Sequence, residues 1–131
     1  MTLQPGIRGS AFVLATHENS AAAVGSGALE VFATPSMIAL MEKAALESVQ
    51  PFLSEGEGTV GAEIHVTHDA PTPLGLTVTA TAVLVEVDRR RLVFRVEASA
   101  GGEVIGKGSH TRFIINSERF LQKAMAKRTQ Q

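Results

Sequence analysis

The stretch Val31-Phe32-Ala33-Thr34-Pro35-Ser36-Met37-Ile38-Ala39-Leu40-Met41-Glu42-Lys43-Ala44-Ala45 decides the fold, because its apolar spacing sustains a long helix. Thr34 is the expected N-cap, with a hydroxyl that accepts from an orphan backbone N–H, and Pro35 fits the first helical position, where no N–H is needed. Pro51 and the Gly56-Glu57-Gly58 break mark the far end. At 100° per residue, Met37, Leu40, Met41, Ala44, Ala45, Ser48 and Val49 share one arc, with Ile38 at its edge and Leu46 just beyond. Lys43, Glu47 and Gln50 take the opposite side. Glu42 breaks the pattern: it falls between Ile38, Val49 and Leu46, and a charge among apolar neighbours must be paired, hydrogen-bonded or shifted in pKa.

Around this helix the chain reads as strands. Ser10 to Thr16 forms a first strand, and His17 to Leu29, rich in Ala, Gly and Ser, forms either a loop over the helix entrance or a closely packed segment. After the helix, Thr59 to Thr67 alternates so that Ile64, Val66 and His68 share one face. Leu76 to Val87 and Arg91 to Ser99 follow, joined at Asp88-Arg89-Arg90, and a turn at Gly101-Gly102 leads into Val104 to Ile115. Ser117 is placed to cap a short final helix ending near Met125. Hairpin-length links cannot make parallel crossovers, so the expectation is an α+β fold, an antiparallel sheet of about five strands curled around one long central helix.

The totals narrow the function classes. A chain of 131 residues fits a single domain spanning 1–131, and 44% hydrophobic with 19% charged residues is ordinary for a globular protein. A net charge of −1 leaves no footprint for nucleic acid or an anionic membrane surface. The absence of cysteine removes disulfides, thiolate zinc sites and a cysteine nucleophile, and no apolar run is long enough to span a bilayer, which makes the cytoplasm the expected compartment. His17, His65 and His110 show no metal-site spacing and read as surface or hydrogen-bonded residues.

Taken together, Val31-Phe32-Ala33-Thr34, Leu40-Met41-Glu42, Gly56-Glu57-Gly58, Val66-Thr67-His68 and Pro73-Leu74-Gly75-Leu76-Thr77-Val78 resemble the hot-dog fold thioesterases, specifically the fluoroacetyl-CoA thioesterase-like family. The resemblance implies an acyl-CoA thioesterase with a threonine, a glutamate and a histidine at work, which fall on Thr34, Glu42 and His68. It implies that Gly61 helps to receive the thioester carbonyl and that Arg112 stands near the site. Phe32 and Ala28 would line the substrate, and Ala28 stands where the fluoroacetyl-specific member has an aromatic gate residue. The small residues Gly25 to Gly27 beside it imply an open entrance that tolerates varied short acyl groups. A homodimer with acyl-CoA sites at the protomer interface is implied as well, with CoA entering as part of the substrate and no metal or bound cofactor.

Each residue also has a plain reading. Glu42 alone is an ordinary boundary residue of a helix, His68 alone a structural histidine, Thr34 a cap and Arg112 the partner of a carboxylate. A hot-dog hydratase or dehydratase would want an aspartate and a histidine close together on the helix, and this helix carries no histidine. A non-enzymatic acyl-CoA binding module is the other alternative, with Glu42 and His68 structural; a nucleic-acid or protein adaptor fits the neutral charge and scarce aromatics least.

Overall fold

The computed structural model describes residues 2–130. Strands β1 (Arg8–Leu14), β2 (Glu57–His68), β3 (Thr77–Asp88), β4 (Arg91–Ala100) and β5 (Glu103–Asn116) form one antiparallel sheet in the order β1-β3-β4-β5-β2. Helix α1 (Ala21–Val24) is a single turn, α2 (Thr34–Val49) is the long helix, and α3 (Ser117–Met125) follows the last strand. The sheet curls around α2; the hairpins β3–β4 and β4–β5 join paired neighbours, while β2 pairs with β5 rather than with the β3 that follows it in the chain.

The helical arc read from sequence is the face that the sheet covers: Met37, Leu40, Met41, Ala44, Ala45, Ser48 and Val49 are the buried residues of α2. They meet Val78, Ala80, Ala82 and Leu84 of β3 and Leu92, Phe94, Val96 and Ala98 of β4, all buried. Burial of each large side chain contributes about 1.5–3 kcal/mol. Small residues let the sheet approach: a Cβ on Gly9 would lie 2.6 Å from the Ala44 carbonyl oxygen, and one on Gly106 2.6 Å from the Met37 sulfur.

Two expected caps are corrected. The N-cap of α2 is Ala33, with no side-chain cap bond, and Thr34 is the first helical residue. Long-range backbone bonds fix that entrance: the Ala33 N–H donates to the Asn19 carbonyl (3.0 Å) and the Phe32 N–H to the Thr72 carbonyl (2.9 Å). The Thr34 hydroxyl is thereby released from capping. For α3 the cap is Asn116, whose side chain accepts from the Arg119 N–H at 2.9 Å, while the Ser117 N–H is taken by the Gly56 carbonyl.

Residues 17–29 form a folded segment. Ser20 caps α1 by accepting from the Ala23 N–H, Gly25 closes it at φ +83°, and the Ala22 N–H reaches back to the Leu29 carbonyl. At the other margin of the sheet, β2 carries a bulge between Gly61 and Glu63. The extra residue changes strand parity, so Thr59 and Gly61 face α2 before the bulge and Ile64, Val66 and His68 face it afterwards.

Candidate active site

Helix α2 begins beside the end of β2 and runs back along it, so Thr34 meets His68 and Glu42 meets Gly61. Two groups of polar side chains result. Eight residues at 1.5 Å each set them about 12 Å apart along the helix axis.

The mid-helix group is tightly held. The Arg112 guanidinium, buried between β5 and α2, donates from Nε to the Thr59 hydroxyl (2.8 Å) and from Nη2 to the Thr59 carbonyl (2.9 Å). Its Nη1 lies 3.8 Å from Oε2 of Glu42 and 3.2 Å from Nε2 of His110. This is the partner that a charge at Glu42 demands. Desolvation pulls the Arg112 pKa down and the Glu42 carboxylate opposes that shift. Gly61 completes the group: a Cβ there would sit 2.7 Å from Oε2 of Glu42, so only glycine leaves the carboxylate in place. The Glu42 side chain remains 41% exposed, against 7% for Arg112, so the cation is anchored while the carboxylate can be reached.

The group at the helix start is simpler. The Thr34 hydroxyl and Nδ1 of His68 share a hydrogen bond of 2.7 Å. Nε2 of His68 is buried and meets no partner among the described residues. A cavity of about 320 Å³ opens here, lined by Phe32, Thr34, His68 and Asp69 together with Ala21 and Ser26 of the folded segment. A larger groove of about 700 Å³ between β5 and α3 contains none of the expected site residues.

Thr34 and His68 are thus brought together, as are Glu42, Gly61 and Arg112, while the two groups stay apart within one chain. Phe32 is 1% exposed and forms part of the cavity wall, while Ala28 is exposed and is not among the residues that line the cavity. His17 and His65 pair on the surface with Glu30 and Glu63. Thr59 was not singled out by the sequence, and His110, read there as a surface or hydrogen-bonded residue, is buried and hydrogen-bonded beside Arg112; the small Gly61-Ala62 pair inside an otherwise regular strand is the signal for the bulge that turns Thr59 inward. Among the described residues, no group of three or more acidic or histidine side chains gathers as a metal site.

Comparison with known proteins shows the family. The model of the fluoroacetyl-CoA-specific thioesterase family matches residues 15–118. A fluoroacetyl-CoA thioesterase of Streptantibioticus cattleyicolor is 50% identical over 98 residues, covering 75% of this chain and 70% of that protein. A solved fluoroacetyl-CoA thioesterase structure superposes with a TM-score of 0.90 at 38% identity, covering 97% of this chain and 98% of the other. A thioesterase superfamily member of Thermus thermophilus gives a TM-score of 0.86 at 27% identity over 97% and 96% of the two chains. With this fold, a family match over most of its length and a relative 50% identical, the chain belongs to the fluoroacetyl-CoA-specific thioesterase family of hot-dog proteins.

Proposed function

We propose that this protein is an acyl-CoA thioesterase that hydrolyses short acyl thioesters to the free acid and CoA. The observation that carries the reading is the Glu42 carboxylate, exposed on one side, faced by the buried Arg112 guanidinium and lying over a glycine that leaves room for a carbonyl. Hydrolysis needs an electron pair delivered to the carbonyl carbon, donors for the oxyanion and a proton for the leaving thiolate. Glu42 supplies the first, by direct attack or through a water that it deprotonates. The Gly61 N–H and the start of α2 supply donors, and His68, tied to Thr34, supplies the proton.

Both groups act on one thioester if the protein is a homodimer. Thr34 and Glu42 lie too far apart along one helix to touch the same carbonyl. The outer edge of β2 is unpaired among the described residues, and its twelve residues contain no proline or lysine to blunt it. A two-fold partner across that edge would run its helix in the opposite sense, bringing the helix start of one protomer to the mid-helix of the other.

CoA enters as part of the substrate, and the roles assigned here call on no resident cofactor. Ala28, small and exposed on the segment whose Ala21 and Ser26 line the cavity, supports an open entrance suited to varied short acyl groups. No described helix is long and apolar enough to cross a membrane, and a cysteine-free chain acting on CoA thioesters fits the reducing cytoplasm. The test is free-thiol release from short, medium, branched and aryl acyl-CoAs by the wild type beside Glu42→Gln. Release by the wild type alone is expected; no release from any member, with CoA still bound, would instead identify a binding module.

A further inference from the structure

His110 is 2% exposed, sits on β5 two residues before Arg112, and takes no part in the chemistry proposed above. Its ring is fixed from both sides. Nδ1 lies 2.8 Å from the Glu63 carbonyl at the bulge of β2, and a carbonyl only accepts, so the proton is on Nδ1. In the neutral ring Nε2 then carries a lone pair, and Nη1 of Arg112, at 3.2 Å, donates to it. Phe94 packs beside the imidazole with ring centroids 6.2 Å apart.

We infer that His110 is a positioning residue: held by the bulge carbonyl, it fixes the guanidinium plane of Arg112 so that Nη1 faces the Glu42 carboxylate above Gly61. Thr59 binds Nε and Nη2, leaving Nη1 as the arm toward the carboxylate. Because the guanidinium is one rigid plane, the two Thr59 bonds hold it from one residue, and the acceptor at Nε2 adds a third bond, from a second residue, that stops the plane tilting away from the 3.8 Å contact with Glu42. The ring must be neutral for this, because a proton on Nε2 would oppose the guanidinium. The charged groups facing it are Arg112 from its own strand and Glu42 from α2; burial is the largest influence and lowers its pKa, with Arg112 adding to the shift and the Glu63 carbonyl and Glu42 opposing it. The bulge thereby links backbone geometry at the edge of the sheet to the angle of a carboxylate on the helix.

The inference rests on the thioesterase reading, and its test separates the two. The variants are His110→Phe, which keeps the ring and loses both bonds, and His110→Gln, which restores an acceptor toward Arg112. His110→Phe is expected to lower kcat about tenfold with KM within about twofold, and His110→Gln to recover most of the loss. Added to Arg112→Lys, His110→Phe should cost nothing further, because it acts through that arginine. Nitrogen NMR of the wild type should show His110 protonated on Nδ1, and the guanidinium N–H signals of Arg112 should broaden in His110→Phe but not in His110→Gln. Wild-type kcat in His110→Phe, equal loss in both single variants, full additivity with Arg112→Lys, or the opposite tautomer would each overturn the inference. Should His110→Phe fail to fold, His110→Gln and the wild-type tautomer still decide it. A wild type without hydrolase activity refutes the thioesterase reading instead, and the NMR signals then settle the positioning alone.

Discussion

The two ends of the contact between α2 and β2 are built on opposite plans. At mid-helix, Arg112 is tied by two bonds to Thr59, backed by His110, and faces Glu42, so a buried cation is fixed before any ligand arrives. At the helix start, Thr34 and His68 share one bond beside a cavity of about 320 Å³, and Nε2 of His68 meets no partner among the described residues. A low-dielectric site gains most from charges that need no rearrangement during reaction, which suits the rigid end to stabilising or delivering charge. A buried nitrogen without a partner is costly to the free protein, which suits the open end to a group that arrives from outside.

This contrast can be broken from the rigid end first. Glu42→Gln keeps the shape and removes the electron pair, so thiol release should fall by about a thousandfold or more while calorimetric CoA affinity changes by less than about twofold. Gly61→Ala places a methyl group 2.7 Å from Oε2 of Glu42, the mobile end of a side chain. The methyl group would also lie 3.2 Å from Cε1 of the buried His110, so the protein should fold with a slightly lower melting temperature and lose about a hundredfold in kcat, as the carboxylate is pushed from its place.

The open end should respond more gently. Thr34→Ala removes one hydrogen bond to His68, worth about 1 kcal/mol, so kcat should drop about fivefold to tenfold and Thr34→Ser should restore it. The smallest effect concerns pH. Burial holds the folded-state pKa of His110 below its ordinary value of 6.5, so the unfolded chain binds the proton more readily. That contribution to stability is complete above 6.5 and is lost as pH falls from 6.5 through the folded-state pKa. Denaturant titrations from pH 7 downward should show a shallower decline in His110→Phe than in the wild type.

Much of this was legible in the chain because it depends on periodicity. All seven residues placed on the inward arc of α2 are its buried residues. The oddity of Glu42 on an apolar flank was visible, and resemblance to a known family placed Arg112 near the site, but that Arg112 is the partner of Glu42 comes from the structure. The start of α2 was misread by one residue, since Thr34 lost the cap to Ala33 through bonds to Asn19 and Thr72, which are remote in sequence. The roles of Thr59 and His110 were hidden for a related reason: a bulge shifts strand parity, and the bond from His110 to Glu63 spans two strands.

The central claim is that the rigid and open groups are two halves of one site, contributed by different protomers. Co-expression of Glu42→Gln with His68→Ala tests it most directly. Random pairing makes about half the dimers mixed, each with one site of two intact, so the mixture should regain about a quarter of wild-type thiol release although each variant alone is nearly inactive. Activity in the mixture no higher than in the separate variants, with mixed dimers verified by mass, would contradict the claim and return both groups to a single chain.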